Sequence, residues 1–240
     1  VAISVSIVSL VTYLYRESEI KNEVTLKANE FIQRESESIK TFMENKSKAV
    51  AMVIDIYNKN QYGVGDHNIA NMVLGANTRG VDNLQVTFES GESYASVNFP
   101  GWENNQPPAG YSPKNLPWYA QGRNANGVIY TDPYTIQLTN KLSISALGPI
   151  ENGVVLADIG LDIIEQTIER TNSYPGAVEF LVTEDSTVLA SSSEFVKSGD
   201  KLSRHSELNR LYSQAVKQNK ASGEHSFNGT DNMFFSKEIQ

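Results

Sequence analysis

Residues 17–60 read ESEIKNEVTLKANEFIQRESESIKTFMENKSKAVAMVIDIYNKN, a run without a single Gly or Pro. Apolar side chains recur within it at Ile20, Val24, Phe31, Ile32, Ile39, Phe42, Met43, Val50, Val53, Ile54 and Tyr57. The intervals are mostly three, four and seven, with Lys, Glu, Asn and Ser between, which is the pattern of one long amphipathic helix. At 1.5 Å per residue, such a helix spans about 60 Å. A rod of that length outruns one small domain, so it is expected to lie along two stacked modules or against a partner helix. A core helix and a dimer stalk are compatible readings, since separate stripes can serve each.

Working outward, residues 1–15 (VAISVSIVSLVTYLY) carry no charge. A full membrane span needs about 20 apolar residues. The chain starts at Val rather than Met, and residues 1–16 are read as the end of a transmembrane helix that runs into the polar one. A buried core helix, an N-terminal strand or a signal-peptide core are the other readings of this stretch. On the other side, the glycines of 62–66 (YGVGD) stop the helix, and 68–77 reads as a short second one.

Strand-like segments follow. Residues 84–89 (LQVTFE) alternate, Ser90-Gly91-Glu92 is a turn, and 93–99 (SYASVNF) makes a second hairpin arm. Residues 100–117 hold five prolines in a long irregular loop, the kind that in a compact domain is functional or mobile. A short helix is expected at 118–123, strands at 127–130, 142–147 and 154–159 with the hairpin dipeptide Asn152-Gly153 before the last, and an amphipathic helix at 161–171. After Pro175-Gly176 the pattern begins again, with a hairpin over 177–183 and 187–190, a helix over 208–219 and strands at 223–227 and 233–239. The fold class is α+β: the long helix packs along two antiparallel-sheet, PAS-like modules, with helices segregated from hairpins. The modules are expected at 61–172 and at 173–240, the second continuing beyond residue 240.

Composition narrows the chemistry. The chain has 240 residues, 40% of them hydrophobic and 20% charged, which is enough for real cores and excludes general disorder. With 20 Lys+Arg against 28 Asp+Glu the net charge is −8, which argues against a general nucleic-acid binder. The absence of Cys removes disulfides, thiolate metal sites and Cys nucleophiles. His67, His205 and His225 show no metal-ligand spacing, and no phosphate-binding Gly loop or nucleophile elbow is present. No catalytic residue, metal or cofactor is therefore expected. Asp158 and Asp162 are four apart, but Asp162 reads as a first-turn acid of the helix at 161–171, where the helix dipole favours it.

The densest chemistry lies in residues 111–134, YSPKNLPWYAQGRNANGVIYTDPY, which gather Tyr111, Trp118, Tyr119, Tyr130 and Tyr134 with Asp132. Ring faces attract a cation and a carboxylate pairs with it, so this mixture suits a bound ammonium group. Ordinary packing of aromatics around a sheet is the other reading.

The chain resembles a double Cache domain, the extracytoplasmic sensor of bacterial methyl-accepting chemotaxis receptors and some other signalling proteins. Leu116-Pro117-Trp118-Tyr119-Ala120 is similar to the family's "RxWY..A" box, and Tyr130-Thr131-Asp132-Pro133-Tyr134 to its "Y.DPY" box. Ser145-Ala146-Leu147-Gly148-Pro149-Ile150 is similar to "S.A.PI", and residues 154–162 (VVLADIGLD) to the strand and helix start "GVVG.DI.LD". The four boxes fall in the family's order. The resemblance implies a membrane-distal ligand module, a membrane-proximal module, a homodimer, and flanking helices in the inner membrane with this region in the periplasm or outside the cell. It implies that Tyr111, Trp118 and Tyr119 line one side of a ligand pocket, with Tyr130, Asp132 and Asp158 toward the ligand's amino group.

One departure stands out. Family members that bind amino acids carry an Arg two residues before the Trp, where this chain has Leu116. Leu cannot provide the bidentate grip on a ligand carboxylate. Either Lys114, Arg123 or backbone N–H groups hold that carboxylate, or the ligand is a small amine without one and Leu116 is an apolar wall. The expected function is a sensor of an ammonium-bearing metabolite, amine or amino acid, in a chemoreceptor. A histidine kinase or diguanylate cyclase sensor, a periplasmic hydrolase using Asp132 and Asp158, and a pure adhesion or dimerisation module are the alternatives.

Overall fold

The computed structural model describes residues 2–60, 62, 81–104, 106–171, 178–218, 220–227 and 230–237. The helix expected at 68–77 lies outside them. Helix α1 (Ala2–Asn60) forms as the unbroken pattern requires. Its exposed side carries i,i+4 pairs of the favourable order, Glu23 with Lys27 at 2.6 Å and Asp55 with Lys59 at 2.6 Å. Among the described residues no helix holds an 18-residue stretch apolar enough to cross a membrane. The chain separates into two compact units, Thr41–His205, and Val1–Lys40 with Ser206–Gln240.

In the larger unit, β1 (Asn83–Phe88), β2 (Ser93–Ala95), β3 (Ile129–Tyr130), β4 (Tyr134–Ile136), β5 (Lys141–Ile150) and β6 (Gly153–Gly160) make one sheet, with α2 (Pro117–Arg123) on one face. The order is β2-β1-β6-β5-β3, β4 also pairs with β5, and every pairing is antiparallel. Gly91 takes φ +97° in the β1–β2 turn, which is why the Ser90-Gly91-Glu92 signal works. The expected second arm at 93–99 stops at Ala95, because Phe99 turns away to stack edge-on with Trp102 at 5.2 Å, and Trp102 in turn with Tyr111 at 6.2 Å. Strand β4 was not anticipated; three residues behind Pro133 are too few to show a period of two.

The two faces of the sheet differ in kind. Leu84, Val86 and Phe88 of β1, Ala146 and Ile150 of β5, and Val155 and Ala157 of β6 pack with Ala49, Val50, Val53 and Tyr57 of α1. On the opposite face Leu147, Val154 and Leu156 pack under Trp118 and Tyr119 of α2. Pro117 at the first position of α2 presets φ for the helix. The helix sits tightly because Gly122 has no side chain: a Cβ there would lie 2.6 Å from Val154 Cγ1 and 2.9 Å from Leu147 Cδ1. Arg123 fastens the far end, donating to Ile150 O at 2.6 Å and pairing with Glu89 at 2.5 Å.

Helix α3 (Leu161–Thr171) follows β6 directly and buries Leu161, Ile164 and Ile168, with Asp162 in its first turn as expected. It packs on the hairpin β7 (Phe180–Val182) and β8 (Val188–Ser191), chiefly on β8. In the other unit, α4 (Ser206–Tyr212) continues into one π turn at Ser213–Lys217, and β9 (Ser222–Phe227) pairs with β10 (Thr230–Phe235) as an antiparallel hairpin. Lys21 reaches Glu224 of that hairpin at 3.4 Å.

Candidate ligand-binding site

The α2 face of the sheet does not stay apolar along its length. Beyond Leu156 the next inward position of β6 is Asp158, and its neighbours on the same face are Asn83, Gln85 and Thr87 of β1 and Ser143 and Ser145 of β5. All five neighbours are buried, and Asp158 is only 3% exposed. So many buried polar groups on one face of a sheet need a reason, because each costs free energy unless it finds a partner.

Asp158 is the hub. Its Oδ1 accepts from Ser145 Oγ at 2.7 Å and Tyr134 Oη at 2.9 Å, and its Oδ2 accepts from Asn83 Nδ2 at 2.9 Å. A carboxylate offers about four acceptor positions, so one on Oδ2 remains. Among the described residues Asp158 forms no ion pair. Burial pushes its carboxyl above the ordinary range, and the three donors oppose that. Tyr134 is pushed well up, first by burial and then by the Asp158 charge; Tyr111 is raised by the same two causes in the same order.

Asp158 opens on a cavity of about 240 Å³ lined by Gln85, Phe99, Tyr111, Leu116, Pro117, Trp118, Tyr134, Leu156 and the segment 135–138. Of the residues singled out in the sequence, Tyr111, Trp118, Asp158 and Leu116 are thus together on its wall. Tyr119 is buried behind Trp118, rings 6.0 Å apart, with its hydroxyl unpartnered among the described residues. Tyr130 turns to the other face of the sheet, packing with the α1 cluster and donating from Oη to Met43 O. Asp132 is exposed and is not among the lining residues. Lys114 donates to Glu89 O at 2.9 Å, outside the cavity, and Arg123 is the clamp already described.

No Lys or Arg lines the cavity among the described residues, and Leu116 is part of its apolar wall. Nor is any group of three or more His, Asp or Glu placed to hold a metal ion among them. The site can therefore receive a small group with N–H donors and positive charge, between aromatic rings and one buried acid. Sequence reasoning gave no role to Tyr134, Asn83, Ser145 or Gln85. Tyr134 was visible in the aromatic cluster; the other three carried no signal beyond the alternation of their strands.

No family model matches the chain. A stretch of 84 residues is 38% identical to the methyl-accepting chemotaxis protein McpG of Pseudomonas putida, covering 34% of this chain and 14% of that protein. The chain therefore corresponds to a small part of this relative's length. The fold is that of chemoreceptor sensor domains. The sensory domain of Campylobacter jejuni Tlp3 with isoleucine bound superposes with a TM-score of 0.69 at 16% identity, covering 90% of this chain and 89% of that one. The ligand-binding domain of Pseudomonas aeruginosa PctB in complex with L-Arg gives 0.67 at 15% identity, covering 89% and 88%. The α+β architecture with a long N-terminal helix is as the sequence pattern implied, and the double Cache resemblance fits these neighbours.

Proposed function

We propose that this chain is the sensor region of a methyl-accepting chemotaxis receptor, lying outside the inner membrane, and that it binds a small ammonium-bearing metabolite in the Asp158 cavity. The observation that carries the reading is a buried carboxylate with neutral partners and one acceptor position left, on the wall of a cavity rich in aromatic rings. Leaving a charge uncompensated in a buried site is costly, and a ligand cation removes that cost. The expected modules, 61–172 for ligand and 173–240 nearer the membrane, and a homodimer through the receptor's helices, belong to the same reading.

Neighbouring folds are described with amino acids bound. In this chain the missing cation beside Leu116 favours an amine without a carboxylate, or an amino acid whose carboxylate is met only by backbone groups. Losing one charge-assisted pair is worth about 1.5–3 kcal/mol, which disfavours α-amino acids by roughly ten- to hundredfold. Calorimetric titration with amino acids and their decarboxylated amines tests this. The reading expects tighter binding of the amines and loss of both in Asp158→Asn; unchanged affinity in that variant overturns it. The hydrolase alternative is disfavoured by Asp132, which stands exposed while Asp158 is locked by three hydrogen bonds.

A further inference from the structure

Gln85 is 6% exposed and lines the cavity, yet only half of its amide is used. Its Nε2 donates to Thr87 Oγ1 at 2.9 Å, and Thr87 Oγ1 shares a further hydrogen bond with Ser93 Oγ at 2.6 Å. In this arrangement Thr87 accepts from Gln85 and has its own single proton for Ser93, so the hydroxyl pair accommodates the amide nitrogen on this side. Gln85 Oε1 is left as an acceptor with no partner among the described residues, on a residue that lines the cavity.

Its position gives that oxygen a meaning. In the β1–β6 register Asn83 pairs with Asp158 and Gln85 with Leu156, so Gln85 is the diagonal neighbour of Asp158 on one face, about 7–8 Å away between backbones. The vacant acceptor position on Asp158 belongs to Oδ2, the oxygen already turned to Asn83 on that same strand. Two residues that each keep an unmet acceptor, one charged and one neutral, thus line the same cavity from adjacent strands. A single nitrogen between them can bond to both if it carries at least two N–H groups.

We propose that Gln85 is a specificity-determining residue that counts N–H groups on the ligand, so that the site selects ammonium ions with two or more N–H groups and rejects tertiary and quaternary ones. This rests on the ammonium reading above and names its ligand class. A trimethylated nitrogen keeps the charge that Asp158 and the rings attract, but it offers neither acceptor a hydrogen and leaves both unsatisfied, which is how polar sites exclude close analogues.

The test is calorimetric titration of the intact chain with four probes of equal charge: butylamine, N-methylbutylamine, N,N-dimethylbutylamine and butyltrimethylammonium. In the wild type, the first two bind alike and affinity falls about tenfold or more at the dimethyl probe, where one N–H remains. In Gln85→Met, which has similar volume and no acceptor oxygen, the break moves one step, to lie between the dimethyl and trimethyl probes. Gln85→Glu keeps an acceptor at the same reach and keeps the wild-type break, which serves should the Met variant fail to fold. If the break stays in place in Gln85→Met, or all four probes weaken equally, the role of Gln85 is overturned while the ammonium site stands. If the wild type binds none of the four, both readings fall.

Discussion

Tyr134 Oη donates to Asp158 Oδ1 at 2.9 Å from a three-residue strand that pairs with β5 rather than with β6. The same hydroxyl lies 2.8 Å from Ser145 Oγ, so β4, β5 and β6 converge on one carboxylate oxygen. The acid is thereby held in place before any ligand arrives, and the cost of positioning it falls on folding rather than on binding.

Replacing Tyr134 with Phe removes that donor without changing the ring. Ammonium affinity is expected to fall by about tenfold, the lower end for a hydrogen bond to a charged group, because the carboxylate is less well stabilised. Titration with butylamine checks this, and an unchanged affinity would show that Ser145 and Asn83 suffice.

The ionisation of Asp158 sets opposite pH trends for stability and for binding. Its carboxyl is raised by burial, so the folded state holds this proton more tightly than the unfolded chain does. Its contribution to stability is full below the unfolded value of about 3.9 and is lost as pH rises toward the folded value. Thermal melts without ligand should show that loss, and Asp158→Asn should abolish it. Ammonium affinity runs the other way, rising as pH climbs through the folded value, because only the carboxylate attracts the cation.

Leu116 is the position to change for a new ligand class. Leu116→Arg places a guanidinium on the cavity wall that already holds Asp158. The variant should gain about ten- to hundredfold for α-amino acids relative to their decarboxylated amines. Competition between alanine and ethylamine reads this directly, and a preference unchanged from the wild type would mean that Leu116 does not face the ligand's other end.

Gly122→Ala tests how closely α2 lies on the sheet. The added methyl would meet Val154 and Leu147 within 2.9 Å, and overpacking of this kind costs about 1–3 kcal/mol. A lowered melting temperature together with weakened butylamine binding is expected, since Trp118 rides on the same helix and lines the cavity.

What could be read beforehand follows from how each feature is written in the chain. Helix α1 repeats its apolar spacing many times over, and the Asn152-Gly153 signal marks the β5–β6 hairpin one residue late, since Gly153 already pairs with Ile150 around Glu151-Asn152. The polar floor of the cavity was not legible. In β1, LQVTF alternates as a strand with one wet face would, yet all six residues of Asn83–Phe88 are buried. Gln85 and Thr87 look the same in sequence whether they meet water or lie buried. Tyr130 shows the converse limit, because residues 130–134 carry an aromatic at each end and the chain sends them to opposite faces of the sheet.

The double-sided burial of β6 has a mechanical corollary. Ala157 touches the long helix's cluster and Asp158 touches the cavity, and these two side chains are consecutive along the backbone. A displacement of the acid would shift a peptide plane whose other neighbour belongs to the core cluster that holds Val50 and Val53 of the long helix.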